Sequence, residues 1–148
     1  MRRNTNALRL MLAFALSGVV LLAGCSSTGP TWVDSGAGYT TQNVSDVYTK
    51  ADISRYAEVS AANTTQQRHD ALTALRARGG NASDAATLLT NTLPSDARGV
   101  PVYVERATFN GQPALILVEA IGPSKARLTT KRLWVLSAEG TVLFVGTR

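Results

Sequence analysis

The chain has a single cysteine and a single histidine in 148 residues. One thiol excludes an intrachain disulfide framework and a thiolate zinc cluster. One imidazole excludes any site built on two histidines. Acids are also scarce, 10 against 15 bases, and the first of them is Asp34. No P-loop, dinucleotide fingerprint, calcium loop or zinc-ligand spacing is present, so no cofactor or metal is expected. What the chain does have is apolar residues, 45% of the total. That is too many for a disordered chain, and the length suits one small domain.

The first 25 residues set an address. Met1 to Arg9 holds Arg2, Arg3 and Arg9 with no acid, and Leu10 to Ala23 is an apolar run without charge. A basic start, an apolar stretch and a small-residue exit form a secretory signal pattern. The run would make a helix of about 21 Å, short of the roughly 20 residues that span a bilayer. Its end, Leu22-Ala23-Gly24-Cys25, resembles the lipobox of bacterial prolipoproteins. The resemblance covers only these 25 residues and concerns location. It implies that residues 1–24 are removed as a signal peptide and that the Cys25 thiol takes a diacylglyceryl group, chemistry that needs a nucleophilic sulfur. It also implies a cell-membrane protein, lipid-anchored and facing out of the cytoplasm. Ser26 lacks the aspartate that marks inner-membrane retention, so an outer membrane is permitted where the cell has two.

Removing that segment alters the charge argument. The net charge of +5 falls to +2, because the three lost arginines are matched by no acids. A nucleic-acid partner, which needs a concentrated basic face, is therefore not expected. The one dense basic cluster left is Lys125, Arg127, Lys131 and Arg132, read as a solvated loop and strand start.

Residues 25–43 read as the lipidated cysteine and a flexible tether rich in Ser, Thr and Gly; Trp32 and Tyr39 would lie either at the membrane interface or on the domain. Residues 44–148 read as a single α+β domain, with 44–94 helical and 99–148 a sheet. Val44, Val47, Tyr48 and Ala51 recur at three and four. Thr64 to Gln67 resembles a capping box, Gly79-Gly80 a helix stop, and Ser83 or Asn81 the start of a third helix that Pro94 ends. In the second half, Asn110-Gly111 is a hairpin turn and Ala138-Glu139-Gly140 a turn with a glycine bulge, a register that sets Trp134 opposite Phe144. The expected architecture is two or three N-terminal helices packed on a four-stranded antiparallel meander.

Leu115–Val118, Leu133–Leu136 and Val142–Val145 are apolar at every position. A sheet with one wet face should alternate, so these strands should be covered on both faces, by helices on one side and by the tether, a twin sheet or a ligand on the other. Catalytic candidates are few. Ser124 follows Gly122-Pro123 as in a nucleophile elbow, but a hairpin rather than the required helix comes next. His69 sits on a polar helix stretch beside Asp70. Glu105 and Glu119, the acids inside strands, should project from opposite faces and so cannot form a carboxylate pair. The expected function is a non-catalytic binding or scaffolding module acting through its sheet on a protein partner or in a homodimer. The alternatives are a small-ligand or lipid carrier with a helix–sheet cavity, and a minor hydrolase using Ser124.

Overall fold

The computed structural model describes residues 29–93, 98–122 and 127–148. Cys25, Ser124, Lys125 and Pro94 lie outside the described residues. Five strands form one sheet in sequence order: β1 (Thr31–Tyr39), β2 (Gly99–Phe109), β3 (Gln112–Ile121), β4 (Thr130–Ser137) and β5 (Val142–Thr147). Helices α1 (Thr64–Arg76) and α2 (Gly80–Thr92) lie between β1 and β2 in the chain.

The class is α+β, but the antiparallel meander of four strands is incorrect. The sheet is mixed and has five strands, because β1 pairs with β2 in parallel. β1 falls in the stretch read as tether. Its sequence, TWVDSGAGY, holds two glycines, an aspartate and a serine, all poor strand formers. Its partner is some 70 residues on, since parallel strands need a long crossover, so no local turn signals the pairing. Trp32 and Tyr39 pack on opposite faces of the sheet, Tyr39 fully and Trp32 in part.

The helical reading of residues 44–94 needs a second correction, in its extent. Residues 44–59 form no α-helix; they make short 3-10 turns at Val44–Thr49 and Ser54–Tyr56. Spacing of three is common to both helix types, so Val44, Val47, Tyr48, Ala51 and Tyr56 are buried as the periodicity implied. α1 starts at Thr64 with Asn63 at its N-cap, and no side chain caps it there. It ends before Gly79 and Gly80, both at positive φ.

Two cores result. Residues 39–56 lay Tyr39, Val44, Val47, Tyr48 and Tyr56 over Tyr103, Ile116, Val118, Leu133 and Val135 on one face. On the other, Leu72, Leu75, Ala86 and Leu89 of the helices meet Val104, Leu115, Leu117 and Leu136. The unbroken apolar runs of β3 and β4 are thus answered within the chain, by the 44–56 segment and the helices.

The Asn110-Gly111 hairpin forms with both residues at positive φ, and Gly140 takes φ +88° at the last turn. Two bulges move the finer register. Beyond Tyr103 the β2–β3 pairing slips, so Pro101 rather than Val102 faces Glu119. Between Val135 and Leu136 the β4–β5 pairing slips as well, so Trp134 faces Val145 and Val135 faces Phe144. The extra residue turns Phe144 onto the first core, where its ring lies 6.3 Å from that of Phe109.

Candidate functional site

Both strand glutamates are completely buried, on opposite faces. An ionised carboxylate out of water must be paired and hydrogen-bonded, and each glutamate here is.

Glu119 is held from the helix side. Arg68 of α1 donates to one carboxylate oxygen at 2.5 Å and to the Gly99 carbonyl at 3.0 Å. Arg132 sends Nε and Nη2 to the other oxygen at 3.0 and 2.8 Å, and the Trp134 indole donates to that same oxygen at 2.8 Å. The Arg132 guanidinium also stacks on the Trp134 ring, 5.0 Å from its centroid. Gly99 makes room: a Cβ there would come within 2.6 Å of the carboxylate. The knot ties α1 to β2, β3 and β4.

Glu105 is held from the other face. The Tyr103 hydroxyl donates at 2.7 Å, Ser35 at 2.5 Å, and Tyr39 at 3.1 and 3.2 Å to the two oxygens. Lys50 lies at 3.4 Å and donates to the Tyr39 oxygen. Ser35 shares its face with Val33, which pairs with Glu105, and just beyond it β1 shifts register between Asp34 and Gly38, with Gly36 at φ +61°. Burial pushes the Glu105 carboxyl up, but the hydroxyls of Ser35, Tyr103 and Tyr39, with the Lys50 charge, outweigh it and hold the group below the ordinary carboxylate range. Burial, then the adjacent carboxylate, drives the Tyr103 phenol well up, so it stays a donor. The Tyr39 hydroxyl raises the Lys50 ammonium. The three hydroxyls are aimed at one carboxylate and Lys50 donates to one of them, so the groups are tied to one another. It pins β1 and the 44–50 segment to β2.

The basic cluster is largely absorbed into this scaffold. Arg132 belongs to Glu119, Lys131 donates to the Tyr48 carbonyl at 2.8 Å, and Arg127 pairs with Glu58 at 3.0 Å. His69 is exposed on α1. Among the described residues, no group of three His, Cys, Asp or Glu comes together as a metal site. No described helix is long and apolar enough to cross a membrane.

Two surfaces stand out among the described residues. One is an open groove of about 500 Å³ beside α2, lined by Trp32, Ala85, Leu88, Arg106, Pro113 and Leu115 among others. Asp34 bridges its rim, accepting from Arg106 at 2.8 Å and from Asn81 at 2.9 Å; the Arg106 hydrogen bond is the chief reason its carboxyl is held low. The other is β5. Among the described residues, the exposed large apolar side chains are Val142, Leu143 and Val145, at 45%, 38% and 51% exposure. All three sit on this one strand, which ends the sheet. Arg148 and Lys131 exchange backbone bonds, so by antiparallel alternation Val145 and Thr147 turn their N–H and C=O groups outward.

Neither surface was legible beforehand. The buried glutamates did leave a signal, since an acid inside a run such as Leu-Val-Glu-Ala-Ile needs a partner. The comparisons decide nothing further. No family model, curated protein or solved structure matches this chain.

Proposed function

We propose that the protein is a lipid-anchored, non-catalytic binding module of the cell envelope that acts through its sheet, at the outer edge of β5. The observation that carries this reading is the edge itself. Soluble proteins usually protect an edge strand with charge, proline or a covering element. β5 instead offers Val142, Leu143 and Val145 to solvent beside outward-turned backbone groups. An extended segment of a partner protein would add there as a sixth strand, with backbone bonds giving affinity and apolar side chains giving fit.

The charge at the C-terminal end of the strand, Arg148 beside Lys131, favours a partner segment whose apolar residues are flanked by an acid. A second copy fits less well. Two-fold pairing through β5 would set the two β1 strands, which follow the anchors, at opposite ends of a sheet about 43 Å wide.

A photoreactive amino acid placed at Val145 in growing cells tests this. The expected result is an adduct of defined mass with another envelope protein. It should be lost when Leu143→Lys is added and absent with the probe at Thr87 on α2. Labelling no stronger than at Thr87 would contradict the reading, and an adduct of twice the monomer mass would assign the edge to a second copy. Because Leu143 is 38% exposed, Leu143→Lys should lower stability by about 1–2 kcal/mol and leave the fold in place.

The groove beside α2 favours a second reading, a small-ligand or lipid carrier. Its floor is apolar and aromatic and its rim polar, the usual make-up of a ligand site. Native mass spectrometry of the protein extracted from membranes tests it: a co-purified small molecule lost with Trp32→Ala supports it, and a ligand-free mass counts against it.

A further inference from the structure

The described fold begins close to the proposed anchor. A tether running to residue 43 would let the domain float above the membrane. Instead β1 starts at Thr31, and Gly29 and Pro30 are already buried against the domain. Only residues 26–28 separate Cys25 from Gly29. Even fully extended, that stretch spans at most about 14 Å between the two Cα atoms.

The surroundings of Gly29 are basic. Arg55 donates to the Gly29 carbonyl at 2.8 Å, and Arg78 donates to the Pro30 carbonyl at 3.0 Å. Ala74 of α1 packs directly on Gly29. Arg76, at the end of α1, turns instead toward α2, where it donates to the Thr90 hydroxyl at 3.3 Å. Asp52 and Asp70 are the acids beside these arginines in the sequence, and Glu58 is engaged by Arg127.

We infer that this corner, formed by Arg55 and Arg78 around Gly29, rests against anionic bilayer headgroups. The inference deepens the proposed function and rests on its lipid anchor at Cys25. The lipid fixes Cys25 at the membrane surface, and the short connection keeps the corner close to it. A surface charge acts over a screening length of about 8 Å in physiological salt. Guanidinium groups are well matched to phosphate, because their N–H donors form a planar fork. With β1 nearest the lipid, β5 is the strand farthest from it in the sheet, about 19 Å across, and the proposed orientation turns its edge toward a partner.

The single cysteine makes the test clean. In the lipidated full-length protein the Cys25 sulfur is a thioether, so a thiol-reactive fluorophore labels only an introduced residue. Ala77→Cys at the corner and Val145→Cys at the far edge are both exposed positions. Each labelled protein is reconstituted in phosphatidylglycerol–phosphatidylcholine vesicles that carry a nitroxide on the headgroup. Quenching should be several-fold stronger at position 77 than at 145, and the difference should shrink in Arg55→Gln/Arg78→Gln. Equal quenching at the two positions, or stronger quenching at 145, overturns the inference while leaving the anchor in place. If the unaltered protein takes up the fluorophore at Cys25, the anchor and this inference fail together.

Discussion

Glu119→Gln should lower the free energy of unfolding by about 3–5 kcal/mol, the usual cost of removing one partner from a buried ion pair. The carboxylate is fully buried and receives four N–H donors from Arg68, Arg132 and Trp134. Its loss strands Arg68, which is itself buried, without a counter-charge. Domains of this kind have only about 5–15 kcal/mol in total, so the variant would stand near the limit of folding. Urea unfolding followed by circular dichroism measures the change. Arg132→Gln should cost less, because that guanidinium is partly exposed and water can compensate. A value for Glu119→Gln within about 1 kcal/mol of the unaltered chain would show that the knot is not a structural centre.

Glu105→Gln should cost about 2–3 kcal/mol at neutral pH, in the range of hydrogen bonds to a charged acceptor. Lys50 adds little to this, since its side chain is 43% exposed. The pH dependence is more diagnostic. The folded Glu105 carboxyl titrates below its ordinary 4.5, so the folded state binds its proton more weakly than the unfolded chain does. Its contribution is therefore fully present above about pH 4.5 and is lost as pH falls through the folded value. The gap between the unaltered protein and Glu105→Gln should be widest near neutrality and close on acidification. Asp34 and Asp52 are also held low, but both are present in each protein and cancel in the comparison. A gap that stayed constant down to pH 3 would contradict this account of the cluster.

The parts of the fold written in local chemistry were legible. Asn110-Gly111 and Ala138-Glu139-Gly140 specify turns through the backbone conformations their glycines allow, and both hairpins are present. The run from Ala71 to Arg76 repeats at helical spacing, and the Gly79-Gly80 stop ends α1. What was not legible depends on distant partners. β1 becomes a strand because β2 offers it an edge and Glu105 draws Ser35 and Tyr39 inward; nothing in TWVDSGAGY alone calls for that. The bulge near Leu143 changed the partner of Trp134, and a register slip of one residue leaves no mark in an apolar run. The 44–56 segment shows its buried residues by their spacing, but spacing of three cannot distinguish a 3-10 turn from an α-helix.

The candidate site shows the same division. For Leu115–Val118 and Leu133–Leu136 the unbroken apolar runs correctly implied two covered faces, and the structure supplies both covers from within the chain; for Val142–Val145 the expectation fails, since that strand is the sheet edge and three of its four side chains are exposed. The expectation of a partner on a sheet face therefore loses its motive, and the exposed apolar side chains of β5 shift attention to the edge. That shift needs the sheet order, which the sequence did not reveal.

The central claim is that this domain is held at a membrane through Cys25, and the mass of the protein isolated from membranes tests it most directly. The account predicts a chain that begins at Cys25, lacks residues 1–24 and carries a diacylglyceryl thioether that blocks alkylation of the thiol. A membrane-associated chain that begins elsewhere, or whose Cys25 reacts freely with iodoacetamide, would contradict it.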